Sequence, residues 1–302
     1  MDSIYHSGER KLHAETGAVE AAAGMGRMVL PVIAHLYVDF IQSQRYVIVG
    51  AADNQGMAWG SILSGEPGFM QVMDERTLRI DAFPDKQDPV SGNFREGAEI
   101  GLLLLDFSTR RRLRVNGRVV IEDGGFSVRT SQVYPNCPRY IQSRNCETGG
   151  NASVYPRFTR QTTSLNREYQ ERIGRADTFF IASYHPEGGA DVSHRGGYPG
   201  FIQVVDGETI IWPDYNGNGM FNTLGNIVEN PACGLLFMDF EKGGTLQLSG
   251  SADIIWDSAR VDTFPGAERI IEFRIKRVIE TENAINLRWS FIDYSPDNPW
   301  FC

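Results

Sequence analysis

Two stretches of the chain repeat one another. Residues 65–74 read Gly-Glu-Pro-Gly-Phe-Met-Gln-Val-Met-Asp and residues 197–206 read Gly-Tyr-Pro-Gly-Phe-Ile-Gln-Val-Val-Asp. A second pair, Gly-Leu-Leu-Leu-Leu-Asp-Phe at 101–107 and Gly-Leu-Leu-Phe-Met-Asp-Phe at 234–240, follows in nearly the same register. Self-similarity at a fixed spacing indicates a repeated structural unit. Since there are two copies, we interpret the chain as two related halves that bury one face against each other, as a C2 dimer does.

Each half is rich in segments typical of β-strands. Residues 46–50 and 179–183 are β-branched and aromatic, and turn-forming residues follow both. Further strands are predicted at 69–73, 78–80, 100–107 and 112–121 in the first half, and at 201–205, 209–212, 234–240 and 245–256 in the second. Short strands at this spacing favour a barrel or a sandwich.

Helices are fewer, and they precede the strands of each half. Residues 9–27 are rich in Ala and Glu, while residues 32–42 and the segment beginning at Leu165 place apolar side chains on one helical face. We therefore expect four parts: an N-terminal helical segment at 1–43, a first barrel with a C-terminal helix at 44–145, a polar linker at 146–163, and a second barrel with a C-terminal extension at 164–302. The linker contains Gly149-Gly150-Asn151.

The composition excludes several classes of protein. The chain has 302 residues, 41% of them hydrophobic, and a net charge of −9, so it is a globular protein and not a generally basic nucleic-acid binder. No apolar run approaches the ~20 residues of a membrane span. The first residues are polar and carry both charge signs, unlike a signal peptide. We expect a cytoplasmic protein without nucleic-acid or membrane partners.

The sequence contains none of the common catalytic or metal-binding motifs. The four cysteines form no CxxC pair and the five histidines show no ligand spacing, so we expect reduced thiols and no metal site. The patterns GxxxxGK[ST], GxGxxG, GxSxG and HExxH are all missing from the sequence. No carboxylate pair or nucleophile–base pair follows from the spacing, and no catalytic residue is assigned.

The stretch from Trp212 to Pro231 carries a family resemblance. A strand leads into a polar loop rich in Gly and Asn, then a short helix, then Glu-Asn-Pro and an apolar strand. Upstream, residues 191–201 place Ser, basic residues and glycines before Pro-Gly-Phe. This order resembles the pyridoxamine 5′-phosphate oxidase-like FMN-binding split barrels, in particular their flavin-nucleotide-binding branch. The resemblance covers most of 175–257 and, more weakly, 44–145.

The resemblance implies a mostly β fold in which two tandem split β-barrels with flanking helices form an internal pseudo-dimer. It also implies an FMN site between the barrels. The candidate cofactor-binding residues are Ser193, His194, Arg195 and Gly196 in a predicted loop, Asn222, Thr223 and Asn226 at the start of a short helix, and Asn136, Arg139 and Gln142 in a segment similar to the short helical motif that relatives lend to a partner subunit's flavin. Guanidinium groups, hydroxyls and free N–H groups are the donors that a phosphate needs.

Each group also has an interpretation without a ligand. Residues 193–196 could form a solvated turn, residues 222–226 could cap a helix, and residues 136–142 could lie on an exposed helix face. Residues 110–112, a run of three arginines, are interpreted as a solvated hairpin, with an anion-contacting patch as the alternative.

The two halves differ at the candidate site. The first half has Ile62 and Leu63 where the second has His194 and Arg195, and the second half has no copy of residues 136–144. The sequence therefore predicts one complete site per chain. Unlike many relatives, the chain has no Lys or Arg in residues 220–226.

These observations support two hypotheses. The first is an FMN-dependent oxidoreductase with a small-molecule substrate and an electron donor such as NAD(P)H or a reduced deazaflavin. The second is a non-catalytic split barrel that binds a flavin, a haem or another tetrapyrrole. Whether the chain also forms a homodimer is left open.

Overall fold

The computed structural model describes residues 4–148 and 156–300, and the predicted linker glycines at 149–150 lie outside them. The first unit comprises α1 (Ser7–Thr16), α2 (Val19–Gly26), α3 (Val38–Ser43), β1 (Tyr46–Ala52), β2 (Ala58–Ser64), β3 (Met70–Asp74), β4 (Thr77–Ile80), β5 (Glu99–Asp106), β6 (Arg111–Glu122) and β7 (Gly125–Pro135). Two strands follow, β8 (Ser143–Thr148) and β9 (Phe158–Thr162).

The second unit repeats the sequence of strands with more helices between them. It comprises α4 (Arg167–Arg175), β10 (Thr178–His185), β11 (Gly189–Gly196), β12 (Gln203–Val204), β13 (Thr209–Tyr215), α5 (Asn222–Glu229), β14 (Ala232–Met238), β15 (Thr245–Ile255), α6 (Ser258–Val261), β16 (Ala267–Glu282) and β17 (Leu287–Asp293). No helix of the described residues has the length and apolarity needed to cross a membrane.

The two main sheets have the same strand order. It is β2-β1-β5-β6-β7-β4-β3 in the first unit and β11-β10-β14-β15-β16-β13-β12 in the second, with antiparallel pairing in both. Each sheet encloses its own apolar interior. The predicted mostly β fold of two tandem split barrels is confirmed.

The sheets also share a bulge at an equivalent place. The register of β6 against β7 shifts between Asn116 and Gly117, and that of β15 against β16 shifts between Ser249 and Gly250. A Cβ atom on either glycine would collide with a carbonyl oxygen of the paired strand. A side chain at these two positions would therefore force the paired strands apart, and glycine keeps the bulge closed.

The units pack back to back through a close approach of their backbones. A Cβ atom on Gly101 of β5 would lie 2.8 Å from the Cα atom of Asp191, and one on Gly234 of β14 would lie 2.5 Å from the Cα atom of Trp59. Asp191 and Trp59 occupy equivalent positions of β11 and β2, so the two contacts are related by a pseudo-twofold axis. Apolar side chains from both units surround this contact, among them Ile48, Leu103, Phe107, Phe180, Val192 and Leu236.

The N-terminal helices differ from the prediction in their length. The predicted helix at 9–27 is broken at Gly17, whose φ of 71° ends α1 in the left-handed conformation. At 32–42 the helical backbone begins only at His35, and Leu36 is 68% exposed, so the predicted apolar face is not buried as a whole. In α4, Tyr169 and Ile173 are buried as predicted.

The predicted linker contains strands, and the predicted helix before it does not form. Residues 136–142 have neither helix nor strand, and Pro138 removes a backbone donor that a helix there would need. Strand β8 pairs with β17, and β9 pairs with β16. The chain between the barrels is therefore used to tie the first unit to the end of the second.

We expect the substitution Gly234→Ala to lower the free energy of unfolding by about 1–3 kcal/mol, because the new methyl group has no room against Trp59. The matched control is Gly174→Ala in α4, where a Cβ atom meets nothing within 4 Å. This control should be neutral or stabilising by about 0.5–1 kcal/mol. Urea unfolding of the two variants measures both effects, and equal stabilities would contradict the close approach.

Candidate functional site

A cavity of about 330 Å³ lies between the two units, within the ~300–1,000 Å³ usual for small-molecule sites. The first unit contributes β6 and residues 136–140, and the second contributes β11, β13 and the start of α5. The joint between α1 and α2 closes one side with Thr16, Ala18 and Ala21. Because both units supply walls, the cavity exists only when the barrels are packed together.

Most of the sequence-predicted residues meet in this cavity. Eight of the ten line it: Asn136, Arg139, Ser193, His194, Arg195, Gly196, Asn222 and Thr223. The predicted loop at 193–196 is wrong in one respect, because these residues belong to the edge strand β11. A Cβ atom on Gly196 would collide with the carbonyl oxygen of Tyr140, so glycine lets the segment from the first unit cross the end of β11.

Gln142 does not line the cavity, contrary to the prediction. Its side chain is fully buried, and its Nε2 donates to the carbonyl oxygens of Tyr140 (3.0 Å) and Gly197 (3.2 Å). Its Oε1 accepts from the backbone N of Ser295 (2.8 Å) and from Asn298 Nδ2 (2.9 Å). Gln142 thus joins three parts of the chain and fixes the wall at 136–140 from behind.

Asn226 also lies outside the cavity. It sits on the side of α5 that faces β10, where its Nδ2 donates to Ser183 Oγ at 2.9 Å. It lies one helical turn after Asn222 and Thr223 and holds the helix to the sheet. Asn226 therefore contributes no polar group to the cavity.

Arg112 is the main cavity residue that the sequence analysis did not assign to the site. It lines the cavity and is half-buried, and its guanidinium forms no hydrogen bond or ion pair with the described part of the chain; its Nε is shielded from solvent. Burial lowers the pKa of Arg112 to about 9, and the charge of Arg114 adds to this effect. The interpretation of 110–112 as a solvated hairpin is wrong for Arg112, because β6 has already begun at Arg111.

The alternation of apolar and basic side chains along β6 was the sequence signal that could have placed Arg112 in the cavity. Leu113 and Val115 point into the first barrel, so Arg112 and Arg114 point to the other face, which the second unit covers. Arg114 is buried and forms an ion pair with Asp191 at 2.5 Å.

Arg114 also organises the hydroxyl groups of the cavity. It donates to Tyr134 Oη (3.0 Å) and to Ser193 Oγ (2.5 Å), and Thr223 Oγ1 donates to Ser193 Oγ at 2.9 Å. Since Asp191 balances its charge, Arg114 serves to hold these groups in place.

His194 is buried in the cavity wall, 3% exposed, and neither ring nitrogen has a partner in the described residues. Burial holds the pKa of His194 well below its usual value, and the charges of Arg112, Arg195 and Arg144 push it further down. The imidazole is therefore neutral and presents one donor and one acceptor.

Arg195 supplies a second cation at the other side of β11. Its Nη2 lies 3.9 Å from Asp214 Oδ1, while Arg269 Nη1 lies 3.6 Å from the other oxygen of the same carboxylate. Arg195 and Arg269 share this carboxylate, Arg269 also pairs with Glu268, and Arg112 has no carboxylate partner. The cavity is thus locally cationic in a protein whose net charge is −9, and an unpaired buried cation favours an anionic ligand.

The pseudo-equivalent place in the other half lacks this charge. From the strand pairing, Thr245 and Gln247 of β15 occupy the positions of Arg112 and Arg114, and Ile62 and Leu63 of β2 occupy those of His194 and Arg195. The half-buried carboxyl group of Asp88 accepts from Ser61 Oγ at 2.5 Å. In the cationic cavity the equivalent serine, Ser193, accepts from Thr223 Oγ1 instead.

The pseudo-equivalent cavity is also small, about 80 Å³. Residues from β9 and the segment before it line it: Thr159 Oγ1 donates to Gln87 Oε1 (3.0 Å), and Arg157 pairs with Asp85 (2.9 Å). Charge and volume thus differ between two places that the fold makes equivalent.

The N-terminal helix docks on the cationic cavity through a buried carboxyl group. Glu9 is 4% exposed; it accepts from Asn222 Nδ2 (2.6 Å) and from the backbone N of His6 (2.9 Å). Burial raises the pKa of Glu9 to about 7, although both hydrogen bonds oppose the shift. A Cβ atom on Gly225 would lie 2.8 Å from Glu9 N, so α1 and α5 touch backbone to backbone.

The second unit has recognised relatives. Residues 165–289 match the family model described as pyridoxamine 5′-phosphate oxidase, in agreement with the resemblance. A search of curated proteins gives no match. No group of three or more potential metal ligands occurs in residues 4–148 and 156–300.

Solved structures similar to the chain come from several bacteria. HupZ of Group A Streptococcus is 16% identical over 38% of this chain and 91% of its own, with a TM-score of 0.32. An FMN-binding protein from Syntrophomonas wolfei is 13% identical over 38% and 86%, with a TM-score of 0.29. An FAD-binding protein from Mesorhizobium loti is 12% identical over 41% and 97%, with a TM-score of 0.28.

The raised pKa of Glu9 predicts a stability that depends on pH. Its protonated form is favoured in the folded chain, so the stabilisation is complete below pH 4.5 and is lost as the pH rises through about 7. The stability of the wild type relative to Glu9→Gln should fall by about 3 kcal/mol over this window. Urea unfolding at several pH values measures it. Glu15→Gln, on the exposed face of α1, is the control and should show no such trend.

Proposed function

We propose that the cavity binds FMN and that the protein is a flavin-dependent oxidoreductase. The observation that carries the proposal is Arg112, a half-buried guanidinium without a partner among the described residues, in a cavity built by both barrels. An uncompensated charge of this kind is costly in the folded protein and is offset when an anion binds. The dianionic phosphate of a flavin nucleotide fits this requirement.

The other groups of the cavity support a phosphate ligand. Arg195 adds a second guanidinium, while Asn136 Nδ2 and the His194 ring have free polar atoms. Ser193 and Thr223 add hydroxyls. These are the donor types that recognise phosphate in proteins, and they come from both units.

An aromatic region borders the cationic part of the cavity. Tyr140 and Tyr215 lie with their ring centroids 5.1 Å apart, and Phe201 and Phe221 also line the wall. Flat apolar side chains of this kind suit a conjugated ring system. Tyr140 has a positive φ of 64°, and this strained backbone is held by the hydrogen bonds of Gln142.

A bound flavin would supply the redox chemistry, and the chain would bind and orient it. Arg112, Arg195 and His194 would hold the phosphate, and the aromatic side chains would line the space for the ring system. The substrate would be a small molecule, and NAD(P)H or a reduced deazaflavin would supply electrons. Residues 220–226 lack a basic residue, and Arg112 on the other unit takes over that role.

Titration of the apoprotein with FMN, followed by flavin fluorescence, tests the proposal. Arg112→Met should weaken binding by roughly 10- to 100-fold, since a charge-assisted hydrogen bond contributes about 1.5–3 kcal/mol. Arg139→Met is the control: Arg139 lines the same cavity but is half-exposed and bonds to Asn216. Its loss should cost less than threefold. Equal losses in both variants, or wild-type protein that does not bind FMN, would contradict the proposal.

Reduction of the bound FMN by an electron donor distinguishes an oxidoreductase from a non-catalytic flavin-binding protein. FMN that binds but is reduced neither by NAD(P)H nor by a reduced deazaflavin would favour the non-catalytic role.

One FMN should bind per chain, because the pseudo-equivalent cavity is small and Arg157, the cation that lines it, is paired with Asp85. Calorimetric titration should give a stoichiometry near one. The double variant Thr245→Ala and Ile62→Ala enlarges the second cavity without adding charge, and should leave this value unchanged. A stoichiometry of two in the wild type would show that charge and volume do not select between the two places.

A further inference from the structure

Cys137 stands in the cationic cavity, and the proposed function does not use it. It lines the cavity wall and is partly exposed. The backbone N of Asn136 donates to the carbonyl oxygen of Arg112 at 3.3 Å, which places the neighbouring thiol beside β6. The side chains of Cys137 and Arg112 line the same cavity.

Two further side chains mark this place as a site for an incoming group. His194 is only 3% exposed and lines the same cavity. Neither of its ring nitrogens has a partner within the described residues. Asn136 Nδ2 is likewise buried and unpartnered. A thiol, a free guanidinium and two unsatisfied polar side chains therefore share one pocket.

The other described cysteines lie in different surroundings. Cys233 is buried in the second barrel, and burial raises the pKa of its thiol to about 12. Cys146 is in β8, and burial raises the pKa of its thiol to about 11. Since the thiolate is the form that reacts with oxidants, both are poor nucleophiles at neutral pH. Neither of them lines the cationic cavity.

We propose that Cys137 is a site of oxidation by hydrogen peroxide, and that its oxidised form occupies the end of the cavity where an anionic ligand would otherwise bind. The sulfur attacks one peroxide oxygen, the S–O bond forms and the O–O bond breaks. The sulfur is oxidised by two electrons to sulfenic acid, and the leaving hydroxide takes a proton to become water. Arg112 and the neutral imidazole of His194 stabilise the negative charge that develops on the departing oxygen.

Oxidised Cys137 and a bound phosphate would exclude each other from the site, because both occupy Arg112. A second equivalent of peroxide converts the sulfenic acid to a sulfinic acid with release of water, and the sulfinate anion pairs with Arg112. A phosphate on Arg112 would in turn cover the thiol. The exclusion of the cofactor rests on the proposed function, whereas the oxidation of Cys137 requires only the cavity.

Trapping of the sulfenic acid tests the proposal. The full chain, free of flavin and carrying Cys302→Ser to remove the cysteine outside the described residues, is treated with limiting hydrogen peroxide and dimedone. Peptide mass spectrometry should place the adduct on Cys137 ahead of Cys146 and Cys233. Arg112→Met should slow the labelling roughly tenfold, while Arg129→Met, at an exposed arginine of β7 outside the cavity, should leave it within twofold of the parent chain. Labelling spread evenly over the three cysteines, or a rate independent of Arg112, would overturn the proposal.

A second arm separates this inference from the proposed function. Saturating FMN should suppress the labelling of Cys137, and inorganic phosphate at high concentration should suppress it in part. Labelling that depends on Arg112 but not on FMN would support the oxidation site and contradict the flavin site. Circular dichroism of Arg112→Met and Cys137→Ser shows that each variant is folded before the rates are compared.

Discussion

The approach of two backbones at Gly101 and Gly234 is the constraint on which the rest of the structure depends. Because neither glycine carries a Cβ atom, β5 and β14 come into contact with β11 and β2 of the opposite unit. A larger residue at either position would separate the barrels by the thickness of a side chain. At that separation Arg114 would no longer reach Asp191 and Ser193. The cavity is therefore a property of the packing and not of either barrel alone.

The unpaired guanidinium lies on one side of the interface only. In the cationic cavity Arg114 is balanced by Asp191, but Arg112 keeps an unpaired charge that the folded chain must tolerate. On the other side Thr245 and Gln247 remove this cost, and Gln247 Nε2 instead donates to the carbonyl oxygen of Gly60 at 2.9 Å. The apolar contacts between the barrels stabilise the interface, so they can support a local penalty that binding later offsets.

Much of the architecture follows from the sequence, for reasons that are local or repeated. The recurrence of Pro-Gly-Phe and of the apolar strand predicts two related units, and the common strand order agrees with this. The short helix that begins at Asn222 was predicted from its own segment. The equivalence of Ile62 and Leu63 with His194 and Arg195 was also predictable, because one repeat can be aligned with the other.

The rest depends on contacts between distant parts of the chain. Arg112 looks like a hairpin residue from its neighbours, and only the packing of the second unit on β6 covers it. Gln142 was predicted to bind a ligand because its type and place fit, but its partners Ser295 and Asn298 lie 153 and 156 positions away. Strands β8 and β9 are polar and short, and they form because β17 and β16 offer free edges.

The pairing of β8 with β17 sets an order for assembly on the ribosome. Domains tend to fold as they emerge, the N-terminal one first, so the first barrel can close while the second is still being made. The cavity wall at 136–142 cannot form at that stage, because Gln142 needs its hydrogen-bond partners Ser295 and Asn298, which are made last. Closing so long a loop is slow compared with local contacts. The cavity is thus completed last, and a nascent chain with one finished barrel offers no half-built pocket to a reactive ligand.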